Sequence, residues 1–165
     1  MSTGNTAPMV LSHEDRLMRL GIDLPMSPPT PIGSFRNVRQ SGSLLYVSGQ
    51  GPVSADGSLR RGKVGASVSA DDAREDARLV AINILAAVKQ HLGTLDAVSG
   101  VVKLLGFVNA TPEFDRHPFV IDGASSLIGD VFGDNGAHAR SSMGVASLPN
   151  QITVEIEAIF ELGPG

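Results

Sequence analysis

GAHARSSMGVASLPNQITVEIEAIFEL, residues 136–162, carries the pattern on which the fold turns. Its second half alternates. Ile152, Val154, Ile156, Ala158 and Phe160 fall on one side of an extended strand, and Thr153, Glu155, Glu157, Ile159 and Glu161 on the other. Its first half holds a single arginine, Arg140, beside a second extended segment near 141–147. Leu148-Pro149-Asn150 separates the two. Read as a hairpin turning at Leu148-Pro149, the pair sets Arg140 near Glu157 and Ser142 near Glu155 on antiparallel neighbours.

Upstream, Ser69 caps a helix and Asp72 completes its capping box. Ala73, Ala77, Val80, Ala81, Ile84, Leu85 and Val88 recur at three- and four-residue steps until Gly93 closes the helix. VSGVVKLLGFVN (98–109) is apolar on both parities, so this strand is expected to be covered on both faces. A second helix spans roughly 119–132, with Val120, Leu127, Ile128 and Val131 facing inward. FRNVRQSGSLLYVSGQGP (35–52) reads as a hairpin around Ser41-Gly42, with a further short strand near Lys63-Val64. Before it, residues 1–11 read as a tail and Ser12 with Asp15 opens a short helix that Gly21 ends. DLPMSPPTPIG (23–33), with four prolines, is an extended arm lying over the body.

The order β-β-(β)-α-β-α-β-β predicts an α+β fold: a mostly antiparallel sheet with two core helices on one face. No third long helix is left for the other face. A wide apolar sheet face exposed to water predicts burial against further copies of the chain. The boundaries are an N-terminal helix and arm over 1–30 and one domain over 31–165.

Composition narrows the function. The chain of 165 residues is 42% hydrophobic and 18% charged, with a net charge of −4 and no basic run beyond Arg60-Arg61. That argues against nucleic acid as a partner. There is no Cys, and His13, His91, His117 and His138 show no pair at metal spacing, so no metal and no cofactor is expected. No apolar run approaches the ~20 residues of a membrane span, and no leader is read, so no membrane partner and a cytoplasmic location are expected. Ser48 and Ser141 lack a His–Asp pairing of the serine-hydrolase kind. Gly129, Gly133 and Gly136 are split by helix and loop, which rules against a phosphate cradle. Asp71-Asp72 reads as helix-start chemistry.

Arg140 and the glutamates remain. One reading is structural: Arg140 neutralises Glu155 or Glu157 across the strands. The other is functional: its planar fork holds a substrate carboxylate while a desolvated glutamate, Glu155 ahead of Glu157, handles a proton or water.

LLYVSGQGPV (44–53), HARSSMGVASLP (138–149) and VEIEAI (154–159) resemble the signature segments of the RidA/YjgF family of enamine/imine deaminases. The likeness runs from about residue 31 to 161, and PIGSFRNVRQSGSLLYVSGQ resembles the family's first hairpin. The resemblance implies a chorismate-mutase-like fold, a homotrimer with clefts between subunits, and hydrolysis of small 2-imino or enamine acids to 2-keto acids and ammonia, of the 2-iminobutanoate/2-iminopropanoate kind. It assigns Arg140 to the carboxylate, Glu155 to water, the backbone of Ser142 to the substrate, and Ser48 and Gly49 to the pocket wall. Phe35 falls where the family often carries an aromatic hydroxyl, so it packs against substrate without donating. The family's asparagine of the second helix region has no clear counterpart, Asp122 being the nearest. The alternative is a non-catalytic sensor of imino, keto or other small carboxylates; a third reading, RNA cleavage, sits poorly with an acidic chain.

Overall fold

In the computed structural model, which describes residues 10–164, β5 (Val154–Leu162) is the middle strand of a five-stranded sheet. In chain order the elements before it are α1 (His13–Arg19), β1 (Val38–Ser41), β2 (Leu44–Gln50), α2 (Ala70–Leu92), β3 (Val98–Asn109), α3 (His117–Phe132) and β4 (Ala139–Val145). The sheet order is β1-β2-β5-β3-β4. The expected tail lies outside the described residues up to residue 9.

The alternation in β5 has the predicted outcome. Val154, Ile156, Ala158 and Phe160 are buried, whereas Glu157 and Glu161 are exposed. The buried set joins Leu45 and Val47 of β2 and Leu104 and Val108 of β3 in one core under α2 and α3. Thr153, just before β5, departs from the pattern: it is buried, and its hydroxyl donates to Asp76 at 2.7 Å. Burial drives the Asp76 carboxyl above its ordinary range despite that bond.

The hairpin expected between 141–147 and 152–162 does not form. β5 pairs antiparallel with β2 and β3, and β4 pairs parallel with the far edge of β3, with Arg140 opposite Leu104 and Ser142 opposite Gly106. Two features explain it. Eight residues separate β4 from β5, too many for a tight turn, and α3 carries the chain from β3 back to a parallel neighbour, as a βαβ crossover requires. The linker is a 3-10 turn, Pro149–Gln151, in which Asn150 and Gln151 take φ of 54° and 57°.

Local signals set most other boundaries. Gly93 ends α2 at φ 82°, and Gly42 turns the first hairpin at φ 60°. Ser12 and Asp15 close a full capping box on α1. At α2 the box is incomplete: the Asp72 carboxylate accepts the Ser69 hydroxyl at 2.7 Å instead of a backbone N–H. The short strand near Lys63-Val64 is reduced to bridges from Val64 to Val68 and Ala110.

α1 docks on the body. Leu17 is buried, Glu14 meets Lys89 at 2.6 Å and accepts the Leu95 N–H, and Asp96 takes the His13 N–H at 2.8 Å. The proline arm follows it across the molecule, where Asn37 Nδ2 donates to the Pro29 carbonyl at 2.8 Å. On the uncovered sheet face Tyr46, Val102 and Met143 are exposed beside half-buried Leu105, Phe107 and Ile159. β3 is therefore covered on one face only within the chain, not on both. Among the described residues no helix is long and apolar enough to cross a membrane.

Candidate functional site

The residues singled out by the sequence fall into two groups on opposite faces of the sheet. Arg140 registers through Leu104 with Ala158, on the helix-covered face. Glu155 registers through Phe107 with Met143, on the open face. The cross-strand ion pair between Arg140 and Glu155 or Glu157 is thus absent, and one chain does not bring Arg140 and Glu155 into one pocket.

Glu155 is positioned by a bulge. The β2–β5 register slips between Val47 and Gln50, so β2 spends an extra residue at Ser48-Gly49. A Cβ at Gly49 would strike the Glu155 carboxylate, so only glycine leaves the room it occupies. Ser48 turns its hydroxyl away, donating to the Arg36 carbonyl at 2.7 Å, which holds the segment bearing Phe35. Phe35 lies ahead of β1 rather than within the first strand. With Pro31, Gly49, Pro149 and Ile152 it walls a cavity of about 90 Å³ onto which Glu155 opens. The proline arm thereby becomes part of the site, a role its composition did not announce.

Burial, and then the Glu157 charge, push the Glu155 carboxyl above the ordinary carboxylate range. No hydrogen bond from the described residues opposes this. A carboxyl raised above its ordinary range, with free lone pairs, suits proton transfer to and from water.

Arg140 lies half-buried against α3. Its Nη1 donates to Asp122 at 2.7 Å and to Ser125 Oγ at 3.0 Å, and Nη2 reaches the Pro118 carbonyl at 3.4 Å. Both Nη1 hydrogens are therefore engaged. The Nε–Nη2 edge, the side-on fork that fits a carboxylate in two-point contact, holds only the long Pro118 contact among the described residues. An open cavity of about 460 Å³ lies beside it, lined by Ser125, Gly133, Asp134, His138 and Arg140. Ser142, two residues on, points to the same face of β4, and its buried Oγ has no partner. β4 is an edge strand, so one side of its backbone is unpaired within the described chain.

Asp122 and Ser125 gained their role from the structure. Their signal was the three-residue spacing that sets them on one face of α3. Gly49 and Phe35 belong with Glu155, and Ser142 with Arg140, so within one chain these residues form two groups. Among the described residues no three His, Asp or Glu side chains gather to hold a metal.

Comparison with known proteins agrees with this fold. The family model described as "YjgF/chorismate_mutase-like, putative endoribonuclease" matches residues 14–158, and the chain belongs to that family, the RidA/YjgF proteins. Protein TCP17 of Trypanosoma cruzi is 42% identical over 147 residues, 88% of this chain and 91% of that protein. The crystal structure of a protein of unknown function from Agrobacterium tumefaciens superposes with a TM-score of 0.84 at 44% identity, covering 92% of each chain. That of a "putative endoribonuclease" from Shewanella oneidensis MR-1 gives 0.88 at 29% identity, covering 92% of this chain and all of that one.

Proposed function

We propose that the protein hydrolyses small 2-imino or enamine acids to 2-keto acids and ammonia, in clefts that one copy of the chain completes for the next in a homotrimer. Family membership supports work on small metabolites. The observation that carries the finer reading is the split site. One face offers a cationic fork with an unspent edge, the other a carboxyl tuned upward beside a small cavity, and the apolar open face gives copies a reason to associate.

In this scheme the Nε–Nη2 edge of Arg140 grips the substrate carboxylate, a charge-assisted contact worth roughly 1.5–3 kcal/mol. Glu155 of a neighbouring copy takes a proton from water as its oxygen bonds to the C=N carbon. The same carboxyl returns that proton to nitrogen; the C–N bond then breaks as the added hydroxyl becomes the keto oxygen and gives its proton back to the carboxylate, and ammonia leaves. The iminium carbon is electrophilic enough for the chain's own residues to carry each step.

A binding-only role is the second reading. Phe35 favours it, because it supplies no hydroxyl at the Glu155 cavity. RNA cleavage draws only on the name given to the family, and no basic groove among the described residues supports it. The deciding experiment couples an enamine-releasing enzyme to the purified protein and follows ammonia. Parental turnover with loss in Arg140→Ala supports deamination. Tight pyruvate binding without turnover supports the sensor, and a salt-sensitive nuclease that survives stringent purification revives the third reading.

A further inference from the structure

Ser125 and His138 form a hydrogen-bonded pair beside Arg140 that imine hydrolysis leaves unused. The Gly136 carbonyl can only accept, so His138 Nδ1, 2.6 Å away, carries the proton. In the neutral ring Nε2 then holds the lone pair, and the Ser125 hydroxyl, at 2.9 Å, donates to it. Arg140 Nη1 donates to the same Oγ at 3.0 Å. The elements of an acyl-transfer centre are thus assembled: a hydroxyl on a base, the base held in one tautomer by a fixed acceptor, and a cation at the reacting oxygen. All three side chains line the open cavity of about 460 Å³. The pair is missed by a scan for Ser–His–Asp, because its third member is a backbone carbonyl.

We infer that Ser125 and His138 form a nucleophile–base pair that cleaves short acyl esters whose acyl part carries a carboxylate. As Oγ bonds to the ester carbonyl carbon, its proton passes to His138 Nε2, and the Arg140 Nη1 hydrogen that had bonded Oγ shifts to the oxyanion that forms. The bond from that carbon to the alcohol oxygen then breaks, and Nε2 delivers the proton to the departing oxygen. Water repeats the sequence on the acyl-serine, releasing the carboxylic acid and restoring Ser125. The acyl carboxylate rests on the Nε–Nη2 edge of Arg140.

The test treats the full chain with a fluorophosphonate reagent and maps the adduct by peptide mass spectrometry. A single adduct on Ser125 is expected. It vanishes in Ser125→Ala, forms at least about a hundredfold more slowly in His138→Gln, and is unchanged in Ser126→Ala, the exposed neighbour. A parental protein with no adduct on Ser125 overturns the inference whatever the variants do. So does labelling of a folded His138→Gln protein at the parental rate, which would leave the pair a purely structural contact. Labelling scores Ser125 and imine hydrolysis scores Glu155, so the two readings fail separately.

Discussion

Arg140 and Glu155 lie in one sheet yet project from its opposite faces, with β3 between their strands. A cleft that uses both must draw them from different copies. Neither Arg140→Ala nor Glu155→Gln should therefore turn over alone, but refolding the two together should restore activity. Random mixing seats an intact arginine against an intact glutamate in about a quarter of clefts. Mixtures that stay inactive would show that the two groups do not share a site between copies.

Glu155→Gln should stabilise the protein where it abolishes turnover. The folded carboxyl titrates above its unfolded counterpart, so the ionised form weakens the fold as pH rises through the folded value. The variant's melting temperature should exceed the parent's at pH 8. The gap should close as pH falls below the ordinary glutamate range, where both side chains are neutral. A gap independent of pH would remove desolvation as its cause.

Gly49→Ala places a methyl group where the Glu155 carboxylate lies. Displacing that carboxylate by about 1 Å should cost about 10²-fold in kcat. Carboxylate binding should persist, because Arg140 lies elsewhere. Calorimetry with pyruvate alongside the coupled ammonia assay separates the two effects.

Asp122→Asn removes a charge that competes with an incoming carboxylate for Arg140. Because the Asp122 side chain is 45% exposed, solvent screens the pair to about 1 kcal/mol at most, and pyruvate should bind up to about fivefold more tightly. Weaker binding would mean that Asp122 holds the guanidinium in its working pose.

Leu17→Ala should cost about 2–5 kcal/mol, because it empties the buried contact that seats α1. The neighbouring Glu14 is pushed up by burial, but the bonds from Lys89 and the Leu95 N–H outweigh this and hold its carboxyl below the ordinary value. Its contribution is therefore present at neutral pH and lost as pH falls through that lowered value. Hydrogen exchange over 13–19 should rise in Leu17→Ala, and in the parent on acidification.

Much of this architecture was legible in the sequence. The period-two pattern of β5 and the three-to-four-residue steps of α2 each answer to one buried face, so local chemistry determines them. The partner of β4 was not legible. Arg140, Ser141, Ser142 and Gly144 carry no apolar stripe to name a neighbour, and pairing was settled by α3 returning the chain alongside β3. The candidate site inherited that error. Arg140 and Glu155 were recognisable by residue type and Gly49 by the family resemblance, but which face each occupied depended on register; the contact of Asp122 with Arg140, and Ser125 altogether, came only from the docking of α3 on β4.

The parallel crossover from β3 through α3 to β4 has an evolutionary corollary. Among the described residues the hydrogen-bond partners of the Arg140 guanidinium, Asp122, Ser125 and Pro118, all belong to that one excursion, whereas the surroundings of Glu155 come from the first hairpin, the arm and the Pro149 turn. On the proposed function, substitutions in α3 can therefore redraw which acids are held while the surroundings of Glu155 are inherited intact, a division that lets one scaffold change clientele in a few steps.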